Sequence, residues 1–243
     1  MYGLIIKDFY VNRKYSIIFA AAIVLLHALE FLAAMSGEDD GSNSFIFKLL
    51  GVMVVFSSFY MIGMLQHGLF ESDERKKWAY YVTSTEGGAA AQISAKYISV
   101  YLLCMDGVII CNTIGALASD LSGFSFDVMP LVLAAFFSQM LLRAIDIPFV
   151  VAFGTKRGNM VRGAVLVLGI LAVVTYALYG DLSYFGNSMD TFWEKFFELF
   201  DMKDNPRLMV VLLTAALAVM PLYYLSCRLS CRLYLKGVDG YDK

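Results

Sequence analysis

The stretch Lys48–Tyr80 reads KLLGVMVVFSSFYMIGMLQHGLFESDERKKWAY. Leu49 to Phe70 contains no carboxylate, lysine or arginine over 22 residues. About 20 such residues suffice for a helix to cross roughly 30 Å of hydrocarbon. The seven residues that follow, Glu71 to Lys77, carry six charges. So abrupt a change marks the point where a chain leaves a membrane. Inside lipid the backbone must satisfy its own hydrogen bonds, so the apolar run has to be a helix.

The rest of the chain extends this reading. It has 243 residues, of which 59% are hydrophobic and 16% charged, with a mean hydropathy of +0.67. Soluble domains run nearer 45–50% and about 25%. Six apolar segments appear at about 16–35, 45–69, 95–117, 129–153, 163–179 and 208–229, which predicts an all-α integral membrane protein with six transmembrane helices. The chain forms one transmembrane domain over 1–243, without a separate soluble unit. Pro130 marks the start of the fourth segment, and Asn205-Pro206 reads as an N-cap followed by proline at the first helical position of the sixth. Pro148 and Pro221 lie inside segments, where proline is expected to kink a helix. The four cysteines lie within or at the ends of apolar runs and read as packing residues rather than a disulfide or zinc framework. With no basic excess, nucleic acid is not an expected partner.

The distribution of positive charge gives the orientation. Lys7, Arg13 and Lys14 precede the first segment, Arg75, Lys76 and Lys77 lie between the second and third, and Lys96 stands at the start of the third. Lys156, Arg157 and Arg162 follow the fourth, and Arg228, Arg232, Lys236 and Lys243 close the chain. The opposite side has only Lys48, Lys195, Lys203 and Arg207, so the ledger is fourteen against four, with Arg143 inside a segment. By the positive-inside rule both termini are expected in the cytoplasm. Residues 1–15 then form an amphipathic cytoplasmic segment, and 70–94 a cytoplasmic loop.

Within that loop, Glu71, Asp73 and Glu74 are mixed with Arg75, Lys76 and Lys77, and Trp78, Tyr80 and Tyr81 follow. Orientation needs only the positive charges. One reading is a solvated loop with an aromatic residue in the membrane belt. The other is a short interfacial helix, anchored by its aromatics, whose polar face meets another protein.

Four features resemble the permease subunits of ABC-2-type ABC transporters. They are the opening MYGLIIKDFYVNRKY, the stretch FESDERKKWAYYVTST followed by AAAQISAKY, the turn DIPFVVAFGTKRGNMVR, and the six segments with cytoplasmic ends. Where such permeases often have a proline after the Ser-Thr turn, this chain has Thr85-Glu86-Gly87-Gly88. The likeness is strongest to permeases exporting amphipathic peptides, of the phenol-soluble modulin and lantibiotic type, which implies the plasma membrane of a Gram-positive bacterium. The resemblance implies that Glu71, Asp73, Glu74, Arg75, Lys76, Lys77, Trp78 and Tyr81 dock on a separate ATPase subunit, with Lys156 and Arg157 on a second cytoplasmic loop. It also implies a second permease chain, identical or related. No cofactor is expected on this chain itself: Gly154-Thr155-Lys156 lacks the glycine and strand of a phosphate-binding loop, so ATP and magnesium would belong to the ATPase.

Ionisable residues at membrane depth need a reason. Arg143 and Asp146 are spaced to pair on one helix face, either to line a pathway or subunit interface or to fix geometry beside Pro148. Asp106 stands in the middle of the third segment, as a pathway residue or as a partner for a neighbouring helix. His27 and Glu30 share a face of the first segment, as a proton relay or as a core histidine beside a snorkelling acid. Between 180 and 207 an amphipathic helix is expected from Phe192, Phe196 and Phe200, opened by a Thr191–Glu194 capping box. It would be an exit gate or a seal on the outer rim. Two other functions compete with transport. An intramembrane enzyme lacks the HExxH and Gly-x-Ser-x-Gly patterns, and a non-transporting immunity or sensor protein could use the same fold.

Overall fold

The computed structural model describes residues 2–35, 41–75, 87–122, 127–180, 189–199 and 206–239. These form seven helices: α1 (Tyr2–Met35), α2 (Gly41–Arg75), α3 (Gly88–Ser122), α4 (Met129–Phe153), α5 (Thr155–Tyr179), α6 (Met189–Leu199) and α7 (Pro206–Asp239). Every one except the short α6 is long and apolar enough to cross a membrane.

The helices outrun the apolar segments at several ends. Hydropathy stops at Phe70, yet α2 continues to Arg75, because Glu, Arg and Lys favour helix as strongly as most apolar residues do. The expected arm 1–15 is continuous with the first span in α1. At α3 the triplet Ala89-Ala90-Ala91, the best of helix formers, starts the helix well before its first long apolar run. Two proline signals coincide with helix starts: Pro130 lies in the first turn of α4, and α7 begins at Pro206. Asp127 accepts a hydrogen bond from the Met129 N–H at 3.0 Å, placing an acid at the positive end of the α4 dipole.

The core is built where α2, α3 and α4 meet. Val55, Phe59 and Ile62 of α2, Val100 and Cys104 of α3, and Leu131, Met140 and Ile147 of α4 are buried together. Gly107 lets α2 and α3 approach closely, since a Cβ there would stand 2.3 Å from the Ile62 Cδ1, the use small residues serve in membrane bundles. Around this centre α1 lies on α2 and α3, while α7 lies on α4 and α3.

α5 sits outside, mainly against α4. Val167, Leu168, Ile170, Leu171, Val173 and Val174 are all exposed. A helix apolar on every side and still uncovered is intolerable in water and ordinary in lipid. At the far end α6 is held to α2 by the buried Phe197, whose ring lies 5.9 Å from the Lys48 ammonium. Phe192 and Phe196 are half-buried, and Phe200 lies outside the described residues. α6 begins at Met189, so Thr191 stands in its first turn.

Candidate functional site

The start of α1, the end of α2 and the start of α3 converge at the end of the bundle that carries most of the basic residues. Lys96 of α3 is their meeting point. Its ammonium donates to the main-chain carbonyl of Leu69 in α2 and lies 3.6 Å from the Asp8 carboxylate of α1. It also stands 5.1 Å from the centre of the Phe70 ring, a cation–π distance. Both charged side chains are only 3% exposed. Lys7 adds a second ammonium 3.2 Å from Asp8. Asn12 donates to the Asp8 carbonyl at 3.1 Å, and its Oδ1 would stand 3.2 Å from any Cβ placed on Gly68 of α2.

This joint adjoins the charged block. Glu71, Asp73, Glu74 and Arg75 form the described end of α2, so this part of the expected loop is helical. Lys76, Lys77, Trp78 and Tyr81 lie outside the described residues. The second basic turn is a tight corner between α4 and α5. Gly154 has φ +83° and ψ 166°, a region essentially restricted to glycine, and its N–H caps the Val150 carbonyl at 2.8 Å. Gly158 then passes so near Val150 that a Cβ would lie 2.9 Å from its Cα. Lys156 and Arg157 project from this corner and are exposed.

A second polar knot binds α3, α4 and α7. The Tyr97 hydroxyl lies 2.7 Å from the Ser226 hydroxyl and 2.8 Å from that of Ser230. Ser226 donates to the Ala144 carbonyl at 2.6 Å, and Tyr223 donates to the Tyr97 carbonyl at 2.8 Å. Each hydroxyl has one proton, so the order follows: Ser230 donates to Tyr97, Tyr97 to Ser226, and Ser226 to Ala144. In a medium without water, such chains hold helices in one register.

The three ionisable residues expected inside the spans do not form one cluster. Arg143 and Asp146 are buried and paired at 2.6 Å, in a pocket walled by Leu142 and Ile145 of α4 and Val161 and Val165 of α5. Asp106 is exposed on α3, in line with the exposed Leu102 and Ile109. His27 is buried. Cys104 and Cys111 are buried and Cys227 and Cys231 half-buried, all four as free thiols. Among the described residues no group of His, Cys, Asp and Glu could hold a metal ion.

Sequence reasoning passed over Asp8, Lys96 and the Tyr97 knot as interacting groups. Lys96 carried a signal: it is the sole charged residue from Gly87 to Met105. A lone cation in an apolar stretch needs a partner, but only the packing of α1 and α2 on α3 says which.

These features define a polytopic helical membrane protein whose polar joints gather at one end. A family model described as ABC-2 family transporter protein matches residues 3–235. The chain therefore belongs to that family, as a membrane component of a transporter. No curated protein and no solved structure matches it.

Proposed function

We propose that the chain is the permease subunit of an ABC exporter that moves an amphipathic or hydrophobic compound, with peptides as the foremost class, across a bacterial plasma membrane. ATP and magnesium are held by a separate ATPase subunit. Two permease chains, identical or related, form the pathway. The family match over nearly the whole chain carries this reading. Two further observations support it: fourteen of the nineteen basic residues fall on one side of the span pattern, as cytoplasmic termini require, and Lys156 and Arg157 are exposed on a stiff corner.

In this reading the ATPase docks on Glu71, Asp73, Glu74, Arg75, Lys76, Lys77, Trp78 and Tyr81, with Lys156 and Arg157 as a second contact. Closure of the ATPase presses on the ends of α2 and α3 and re-packs the helices. Asp106 lines the pathway or the seam with the second permease chain, because an exposed carboxylate at mid-span is ill suited to lipid.

The test is co-expression with a candidate ABC ATPase subunit, purification through a tag on the permease, and measurement of ATP hydrolysis in nanodiscs. A complex that loses its ATPase, or whose hydrolysis no longer responds to the permease, is expected when Arg75, Lys76 and Lys77 are all changed to Glu. Unchanged association and hydrolysis would remove the segment from the mechanism. A wild-type chain that binds no ATPase would favour a non-transporting immunity or sensor role.

A further inference from the structure

We infer that Lys96 is the positioning residue that makes the basic ends of α1, α2 and α3 move as one body when the ATPase engages the segment after Phe70. The inference rests on the docking reading above for its driving force, and on the geometry of the joint for everything else.

Lys96 grips two different helices with one ammonium. On α2 it holds the Leu69 carbonyl, two residues before the charged block opens at Glu71. On α1 it holds the Asp8 carboxylate. A force applied to the block must pass through the turn containing Leu69 and Phe70, which is the turn Lys96 holds. From there the path to α1 is one ion pair long. Asn12 bonded to the Asp8 carbonyl and seated against Gly68 stiffens the same junction from the α1 side.

The choice of residue types favours transmission over plain adhesion. Apolar residues of similar volume often hold a buried site as firmly as an ion pair does, because the charges lose their hydration. An ammonium adds direction. It ties a specific carbonyl to a specific carboxylate, and sliding either helix by one residue breaks the tie. Coupled motion of three helices demands such a fixed register, whereas greasy contact permits slip.

The experiment uses the assembled permease–ATPase complex in nanodiscs, with the four cysteines replaced by serine. Spin labels are placed at the exposed positions Lys14 of α1 and Ala90 of α3. The α1–α3 distance distribution is recorded without nucleotide and after trapping with ATP and vanadate. In the wild type one narrow distance is expected in both states. Lys96→Met keeps the side-chain length and loses both ties. It should resemble the wild type without nucleotide, then shift or broaden by roughly 1–5 Å on trapping, the scale of helix shifts in switching proteins. Lys96→Arg, which keeps the charge, should restore most of the narrow distribution.

A lysine that merely holds the bundle together would loosen both states alike, and that result overturns the inference. So does a Lys96→Met distribution that superimposes on the wild type in both states. If Lys96→Met fails to assemble, Asp8→Asn decides on the same readout: it leaves the Leu69 tie intact, and only its trapped state should broaden. Failure of the docking reading shows separately, as unchanged ATPase association after charge reversal at Arg75, Lys76 and Lys77. The joint is still judged by its own distances.

Discussion

The hydroxyls of Tyr97 and Ser226 lie 2.7 Å apart although 129 residues separate them in sequence. Their contact fixes α3 against α7, and because the Ser226 hydroxyl donates a hydrogen bond to the Ala144 carbonyl, α4 is drawn into the same chain. Ser226→Ala removes both the acceptor for Tyr97 and the donor for Ala144. Interhelical hydrogen bonds in membranes contribute about 0.6–2 kcal/mol each, so the loss should be about 1–2 kcal/mol. Tyr97→Phe should cost a similar amount, and the double variant clearly less than the sum of the two. Thermal unfolding of the four proteins in one detergent checks this. Strictly additive losses would mean that the two hydroxyls do not act together.

Much of the fold was legible because membrane solvent simplifies the code: an uncharged run of sufficient length has few alternatives to a spanning helix. The pairing of Arg143 with Asp146 was legible too, since three residues on a helix make neighbours by geometry alone. The Asp8–Lys96 contact was not. Lys96, alone in an apolar stretch, announces only that it needs a partner, and Asp8 reads as an ordinary charge until α1 and α3 are known to touch. The exposure of α5 was equally hidden, because its sequence is as apolar as that of the core helix α4. Hydropathy reports that a helix prefers to avoid water, without saying whether protein or lipid covers it.

The turn between α4 and α5 makes a second prediction. Gly154→Ala puts a Cβ into backbone that only glycine adopts readily, at a cost of about 1–3 kcal/mol. Gly158→Ala drives a Cβ against the Val150 main chain, with no flexible side chain to give way, and should destabilise by a comparable amount. Lys156→Ala and Arg157→Ala, at exposed positions on the same corner, should stay within about 0.5 kcal/mol of the wild type. Thermal stability in detergent separates the two classes. If the glycine variants behaved like the cation variants, the corner would not be the stiff element described.

Arg143 and Asp146 offer a test of whether a buried ion pair serves structure or transport. Removing one partner leaves an uncompensated charge, so Arg143→Met or Asp146→Leu alone should cost about 3–5 kcal/mol. The double variant should recover most of that, because two apolar side chains can occupy a pocket already walled by Leu142, Ile145, Val161 and Val165. With stability recovered, permease-dependent ATP hydrolysis in the complex reads out the role. Recovery of hydrolysis along with stability assigns the pair to the bundle's geometry. A stable double variant with hydrolysis still uncoupled assigns it to the working cycle.

Asp106 differs from that pair in having no ion-pair partner among the described residues. It shares an outward line with Leu102 and Ile109 on a helix whose other faces meet α1, α2, α4 and α7. Were that line turned to hydrocarbon, the carboxylate would cost about 2.5–3.5 kcal/mol on insertion scales, and Asp106→Leu would relieve it. The variant should then be more stable and fully functional. A line turned to a wet pathway or to a second permease chain predicts the reverse for function: Asp106→Leu folds and stays stable but loses coupling, while Asp106→Asn retains part of it by keeping a polar group. The second pattern is the expected one. Melting temperature and permease-dependent hydrolysis, measured on the same preparations, distinguish the two, and a stabilised, fully coupled Asp106→Leu would return this face of α3 to the lipid.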